Sequence, residues 1–123
     1  MTVPGQRQRI VAELRAAGCV AAPEEADELL EAAAGDPVRL RALVSRRCAG
    51  EPLAWVTGSV RFCGLIVEVW PGVYVPRWQS EHLAEEAARR LPGDGLAVEL
   101  CAGAGAIASV LGRRRPGARV LAT

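Results

Sequence analysis

The chain has 123 residues, half of them hydrophobic but only 4% aromatic, so its core must be built largely from small aliphatic side chains. Its 15 basic residues, all arginine, nearly balance 14 acids, and a net charge of +1 argues against a general binder of nucleic acids or anionic membranes. No apolar run approaches the roughly 20 residues of a membrane span, and the polar start does not read as a signal peptide, so the expectation is a cytoplasmic protein.

Cys19, Cys48, Cys63 and Cys101 are scattered, with no C-x-x-C pair and a single histidine, His82. That spacing argues against a metal site and for buried, reduced thiols. His82, alone on a predicted helix, reads as a surface or core residue rather than an acid–base group.

Residues 6–17 carry Ile10, Val11, Leu14 and Ala17 at helical spacing, with Gly18 at a helix end. A second helix is predicted from Pro23, with Glu24 and Glu25 early, and ends at Gly35. Asp36-Pro37 then supplies an N-cap and a first-turn proline for a third helix to about Cys48, with Leu40, Leu43 and Val44 apolar and Arg46 and Arg47 suited to its carboxyl end. Three short helices with short turns predict a small helical subdomain over residues 1–50, its arginines mostly on a solvated face.

The pattern shifts at Gly50-Glu51-Pro52. Strands are predicted at residues 59–63, 65–70 and 73–75, punctuated by Gly58, Gly64 and Pro71-Gly72, which makes residues 51–77 a β-hairpin connector. Trp55, Trp70 and Trp78 are expected to pack this hairpin against its neighbours. Ser80 is a candidate N-cap for a helix with Glu81 in its first turn and Leu83, Ala87, Ala88 and Leu91 on one face.

Residues 96–101 read as a strand that carries Glu99 near its carboxyl end. They lead into a loop of very small residues, Cys101, Ala102, Gly103, Ala104 and Gly105, before a helix over residues 107–113. Two glycines let a ligand approach the backbone, and a helix start beyond such a loop offers N–H groups, the pattern of a nucleotide-type cofactor loop. Residues 119–123 read as a second, parallel strand, so strand, helix and strand form a βαβ unit. A two-strand parallel unit with one crossover helix cannot cover both sheet faces, so the sequence reads as the amino-terminal part of a longer protein. Taken alone, it is expected to bind cofactor weakly, to self-associate through exposed sheet edges and to be inactive.

Four stretches, in order, resemble the HemK/PrmC-type family, methyltransferases that modify a glutamine of peptide-chain release factors. They are Gly50-Glu51-Pro52-Leu53-Ala54-Trp55-Val56-Thr57-Gly58, then Phe62-Cys63-Gly64-Leu65, then Pro71-Gly72-Val73-Tyr74-Val75-Pro76-Arg77, and Glu99-Leu100-Cys101-Ala102-Gly103-Ala104-Gly105-Ala106-Ile107. The last is similar to the family's Asp-Leu-Gly-x-Gly-x-Gly-Ala-Ile. Two departures stand out: Cys101 replaces the first motif glycine, and Trp78-Gln79-Ser80-Glu81 stands where the family has x-Glu-Thr-Glu. With these departures the chain resembles a divergent branch of glutamine methyltransferases related to the release-factor enzymes.

The resemblance implies an α/β fold: a three-helix substrate-recognition subdomain, a β-hairpin connector, and from residue 78 to 123 the beginning of a Rossmann-like class I methyltransferase sheet. It implies S-adenosylmethionine as cofactor, bound by Glu99, Cys101, Ala102, Gly103, Ala104 and Gly105, with Pro76, Arg77 and Glu81 at the rim of the active site. Its implied partner is a release factor or another glutamine-containing protein, with nucleic acid involved only indirectly. The family's ribose-binding acid would come directly after Thr123, and its Asn-Pro-Pro-Tyr motif does not occur in these residues, so no catalytic residue is assigned. Two other readings remain at this point. One is a non-catalytic protein-binding module made of the helical subdomain and hairpin; the other, a nicotinamide-type fold, is weakened because the loop lacks G-x-G-x-x-G spacing.

Overall fold

Residues 4–123 are described by a computed structural model, in which contacts group the chain into two compact units, one ending at Thr57 and one spanning Gly58–Thr123. The result is an α/β chain of helices and two small sheets. Among the described residues no helix is long and apolar enough to cross a membrane.

In the first unit, α1 (Gln6–Ala16), α2 (Ala22–Ala33) and α3 (Pro37–Cys48) follow the predicted helices within one or two residues at each end. Asp36 caps α3 as expected, its Oδ1 accepting from the N–H groups of Val38 and Arg39 at 2.9 and 3.1 Å. Ala22, Ala26, Leu29 and Ala33 form the buried stripe of α2 and pack on Leu14, Leu43 and Val44. The alanines on that stripe leave the helices little side-chain bulk to keep apart. Arg46 and Arg47 have more specific roles than a helix end requires. Arg47 pairs with Glu25 of α2 at 2.6 Å, and Arg46 pairs with Glu51 at 2.7 Å, which fastens the Gly50-Glu51-Pro52 turn.

A short helix missing from the prediction follows, α4 (Leu53–Thr57), which buries Ala54 and Val56. Five residues are too few to display a helical period, and the carbonyl of Pro52, accepting from Trp55 and Val56, starts the turn.

The second unit begins with an antiparallel hairpin, β1 (Ser59–Phe62) and β2 (Leu65–Glu68), in register Phe62↔Leu65 to Ser59↔Glu68. Its two loop residues, Cys63 and Gly64, have φ of 49° and 76°, the left-handed pair that a two-residue I′ turn needs. Phe62 and Val67 face inward onto Ala84, Ala106 and Val110.

The third strand expected over residues 73–75 does not form. Val73 instead closes a turn by donating to the carbonyl of Trp70 at 3.0 Å. Trp70 and Trp78 are largely exposed rather than packed under the hairpin, which corrects that expectation.

A single 3₁₀ turn, Trp78–Ser80, leads into α5 (Glu81–Arg90). Ser80 is therefore already helical and makes no side-chain cap. The buried face of α5 differs in part from the prediction: Ala88 is buried as expected, but Ala84 is buried in place of Leu83, which is 59% exposed. Alanine rather than leucine lets α5 lie close to α6.

β3 (Leu96–Glu99), α6 (Ala106–Arg114) and β4 (Arg119–Ala122) form the predicted βαβ unit, with β3 and β4 parallel from Leu96↔Arg119 to Glu99↔Ala122. β3 stops two residues earlier than expected because Cys101 turns to φ 56°. On one face of this sheet Leu96, Val98 and Leu121 are each more than half exposed.

Candidate functional site

The site is built where β3 ends. Glu99, its last residue, turns its carboxylate toward α6, and Oε2 accepts from the N–H of Ala108 at 2.7 Å, in the first turn of that helix. One of the N–H groups that the sequence leaves open to a ligand is therefore satisfied within the chain, and a negative charge lies against the positive end of the helix.

Between them the loop makes three left-handed steps, Cys101 at φ 56°, Gly103 at 58° and Gly105 at 75°. Gly105 is the N-cap of α6, its N–H donating to Ala102 at 3.0 Å and its carbonyl accepting from Ser109. The N–H of Ala102 donates to the carbonyl of Thr123 at 2.8 Å, and the N–H of Thr123 donates to the carbonyl of Glu99 at 2.9 Å. These bonds continue the parallel ladder into the loop and fix its base. A Cβ built on Gly103 or Gly105 meets nothing within 4 Å, so the small residues serve the backbone turn and leave open space beside it.

That space is a cavity of about 210 Å³. Glu99, Cys101, Ala102, Gly103 and Ala104 line it together with Pro76 and Arg77. Gly105 lies outside the lining, at the helix start. Glu81 is also absent from it: its Oε1 accepts from the backbone N–H of Cys63 at 2.9 Å and holds the hairpin turn.

Four residues that sequence reasoning did not assign to the site complete the wall, Phe62, Tyr74, Ser80 and Ile107. Phe62, Tyr74 and Ile107 lie inside three of the four motif stretches, which was the one available signal. Arg77 stands over the Tyr74 ring, its guanidinium carbon 5.6 Å from the centroid.

The cysteines do not look reactive as a group. Cys19 is buried and Cys48 and Cys63 half-buried, and burial pushes all three thiols above their ordinary range; Cys101, expected to be buried, is exposed. Among the described residues no group of three or more histidine, cysteine or acidic side chains could hold a metal ion.

A second groove, of about 240 Å³, lies between α1 and α3 in the first unit. Its floor is the aliphatic core at Ile10, Leu40 and Val44 and its rim carries Arg9, Glu13 and Arg41. It has no small-residue loop and no helix start, so the cavity beside Glu99 is the better candidate for a small-molecule site.

No family model matches the chain. It is similar to the release factor glutamine methyltransferase of Mycolicibacterium smegmatis, 45% identical over 91 residues that cover 71% of this chain and 32% of that protein. The enzyme of the same name from Burkholderia pseudomallei is 45% identical over 101 residues, 79% of this chain and 34% of that protein. The 4-amino-L-phenylalanine/4-methylamino-L-phenylalanine methyltransferase of Streptomyces pristinaespiralis is 36% identical over 115 residues, 88% of this chain and 39% of that protein. The chain spans about a third of the length of the curated relatives it matches.

Proposed function

Over the part that matches, this chain belongs to the HemK/PrmC-type methyltransferase family, and on that premise we propose that it supplies part of the cofactor site of an S-adenosylmethionine-dependent enzyme methylating a protein glutamine. The βαβ unit is then the start of a Rossmann-like class I sheet, with the helical unit ahead of it meeting the substrate protein.

The observation that carries this reading is the Glu99–Ala108 hydrogen bond. In dinucleotide folds the helix start after the glycine loop receives a pyrophosphate, and a carboxylate already lying there repels one. S-adenosylmethionine carries no phosphate and presents an ammonium, which a carboxylate attracts. The cavity of about 210 Å³ is below the roughly 300–1,000 Å³ usual for small-molecule pockets, which suits part of a cofactor site rather than a whole one.

The cofactor supplies an electrophilic methyl group when bound. This chain's residues bind and orient: Glu99 receives the ammonium, the backbone of residues 101–105 runs beside the methionyl and ribose parts, and Phe62 and Ile107 exclude water. An amide nitrogen is a weak nucleophile, so such a reaction depends mainly on positioning the acceptor. The Asn-Pro-Pro-Tyr motif that would do so does not occur in these residues.

Titration of the ¹⁵N-labelled chain tests the cofactor assignment. Amides of Ala102, Gly103 and Gly105 are expected to shift with S-adenosylmethionine and not with NAD; the reverse result overturns the reading. The acceptor is tested with labelled methyl donor and the protein translated from the complete reading frame. Label in a release-factor glutamine supports the proposed substrate, whereas label in 4-amino-L-phenylalanine alone excludes it.

A further inference from the structure

The whole chain carries a net charge of only +1, yet folding gathers five arginines of the second unit at one place. Arg89 and Arg90 stand in the last turn of α5, Arg113 and Arg114 in the last turn of α6, and Arg115 is the C-cap of α6. The two helix ends lie side by side: Nε of Arg115 donates to the carbonyl of Ala88 at 2.8 Å, and Arg114 pairs with Glu85 at 2.9 Å. Both helices exit here toward the amino-terminal ends of β3 and β4, whereas the glycine loop follows the carboxyl end of β3. The cluster therefore stands at the opposite edge of the parallel pair from the cavity beside Glu99.

Two carboxylates pair with these guanidiniums. Glu85 takes Arg114, and Glu86 is shared by Arg89 and Arg90, which leaves three positive charges in surplus. Asp94 and Arg119, the next charged residues at this edge, offset each other. A cation at a helix carboxyl end is favourable in itself. Arg113, however, is exposed and has no carboxylate partner among the described residues. Arg90 and Arg115 are engaged through Nε alone, so their terminal N–H groups remain for a ligand.

Guanidiniums with free donors suit phosphate, which their planar fork meets with two hydrogen bonds. None of the large apolar side chains exposed among the described residues falls within residues 89–95 or 113–119, so the surface lacks the apolar core of a protein interface and has no wedge for a bilayer. Those residues include no aromatic side chain either, so unpaired bases have nothing to stack on. What remains is contact with phosphates along a duplex, whose bases are already stacked and whose backbone repeats the charge.

We propose that the adjoining carboxyl ends of α5 and α6 form a docking surface for the phosphodiester backbone of a nucleic-acid duplex, bound without regard to base sequence. This surface is independent of the cofactor reading above.

Fluorescence anisotropy with the 123-residue chain and labelled RNA and DNA duplexes of the same sequence tests it. Both are expected to bind, and for DNA the logarithm of the affinity should fall against the logarithm of salt with a slope of about −3, the value for three neutralised phosphates. Arg113→Gln is expected to weaken binding about tenfold, the scale of one charge-assisted hydrogen bond, and to make the slope shallower by about one. Because Arg113 is exposed, the variant is expected to keep its amide spectrum and thermal midpoint. Arg15→Gln, which removes the same charge from α1 in the first unit, is expected to change neither affinity nor slope.

Failure of both duplexes to bind at low salt overturns the proposal. So does an Arg113→Gln variant that binds as the unmodified chain does, or an equal loss in Arg15→Gln, which would trace binding to net charge rather than to this surface. Tighter binding of polyglutamate or of phosphatidylserine vesicles than of either duplex overturns it as well.

Discussion

Oε1 of Glu81 accepts a hydrogen bond from the backbone N–H of Cys63 at 2.9 Å, which ties the first turn of α5 to the tip of the hairpin. Arg114 of α6 reaches the same residue from the other side, donating to the Cys63 carbonyl at 3.2 Å while it pairs with Glu85. The hairpin tip is thus held by two helices, and Phe62, next to it, is held as a wall of the cavity.

Glu81→Ala is therefore expected to act on stability, not as a loss of a ligand contact. Removing a charged acceptor from a half-buried N–H costs about 1–3 kcal/mol, read as a lower urea midpoint. A Glu81→Ala variant with unchanged stability would show that the hairpin tip does not depend on this bond.

Cys101→Gly is expected to stabilise the chain. A side chain at φ 56° costs on the order of 1 kcal/mol, which glycine avoids, less what glycine's extra freedom gives the unfolded chain. A net gain of about 0.5 kcal/mol in urea unfolding is the expected sign and size. A clear loss would mean that the thiol makes a favourable contact that outweighs the strain.

Two glycines in the second unit should respond in opposite directions. A Cβ on Gly117 would stand 2.7 Å from the carbonyl oxygen of Gly93, backbone against backbone, so Gly117→Ala is expected to destabilise by about 1–3 kcal/mol. Gly112, inside α6 with nothing within 4 Å of its Cβ position, should gain about 0.5–1 kcal/mol as alanine. Thermal unfolding of the two variants side by side checks both signs.

Stability should fall at both ends of the pH range. Hydrogen bonds from Arg7, Arg46 and Arg114 hold the carboxyls of Asp27, Glu51 and Glu85 below their ordinary values. A lowered folded pKa gives stability that is complete above the unfolded value, about 4, and is lost as pH falls through the folded one. These pairs are exposed, so the acid effect should be small and weaken with salt. Burial raises the thiols of Cys19, Cys48 and Cys63, which has the opposite sign: stability is complete below the unfolded value of about 8.5 and declines as pH rises beyond it. Urea midpoints from pH 3 to 10 should trace a plateau between the two declines, and the alkaline decline should disappear when the cysteines are replaced by alanine or serine.

The exposed Leu96, Val98 and Leu121 lie on one face of the β3–β4 sheet. An apolar sheet face open to water predicts concentration-dependent self-association of the 123-residue chain. Sedimentation velocity should detect it, and a Val98→Thr, Leu121→Gln double variant should reduce it. A monomer at high concentration would count against this expectation.

Much of this architecture is legible residue by residue. Asp36-Pro37 announces the start of α3 because a cap and a first-turn proline act within a few residues, and Cys63-Gly64 between two apolar runs announces a hairpin for the same reason. The small-residue loop after Glu99 and the order of four motifs point to the βαβ unit and to the family. What was not legible depended on partners distant in sequence. Residues 73–75 have strand composition but begin with a turn closed on Trp70, and Leu83 has the larger apolar side chain, yet Ala84 is buried because α6 comes too close for leucine. Glu81 lies in a motif region that suggests a rim, and only the packed hairpin reveals that Cys63 takes its carboxylate. The sequence by itself determined most of the elements, the Asp36 cap of α3 and the small-residue loop, because those follow from local geometry. Only the tertiary structure decided that Glu99 faces α6, that Phe62 and Tyr74 line the cavity, and that Arg77 stands over the Tyr74 ring, because each is a choice among partners brought together by folding.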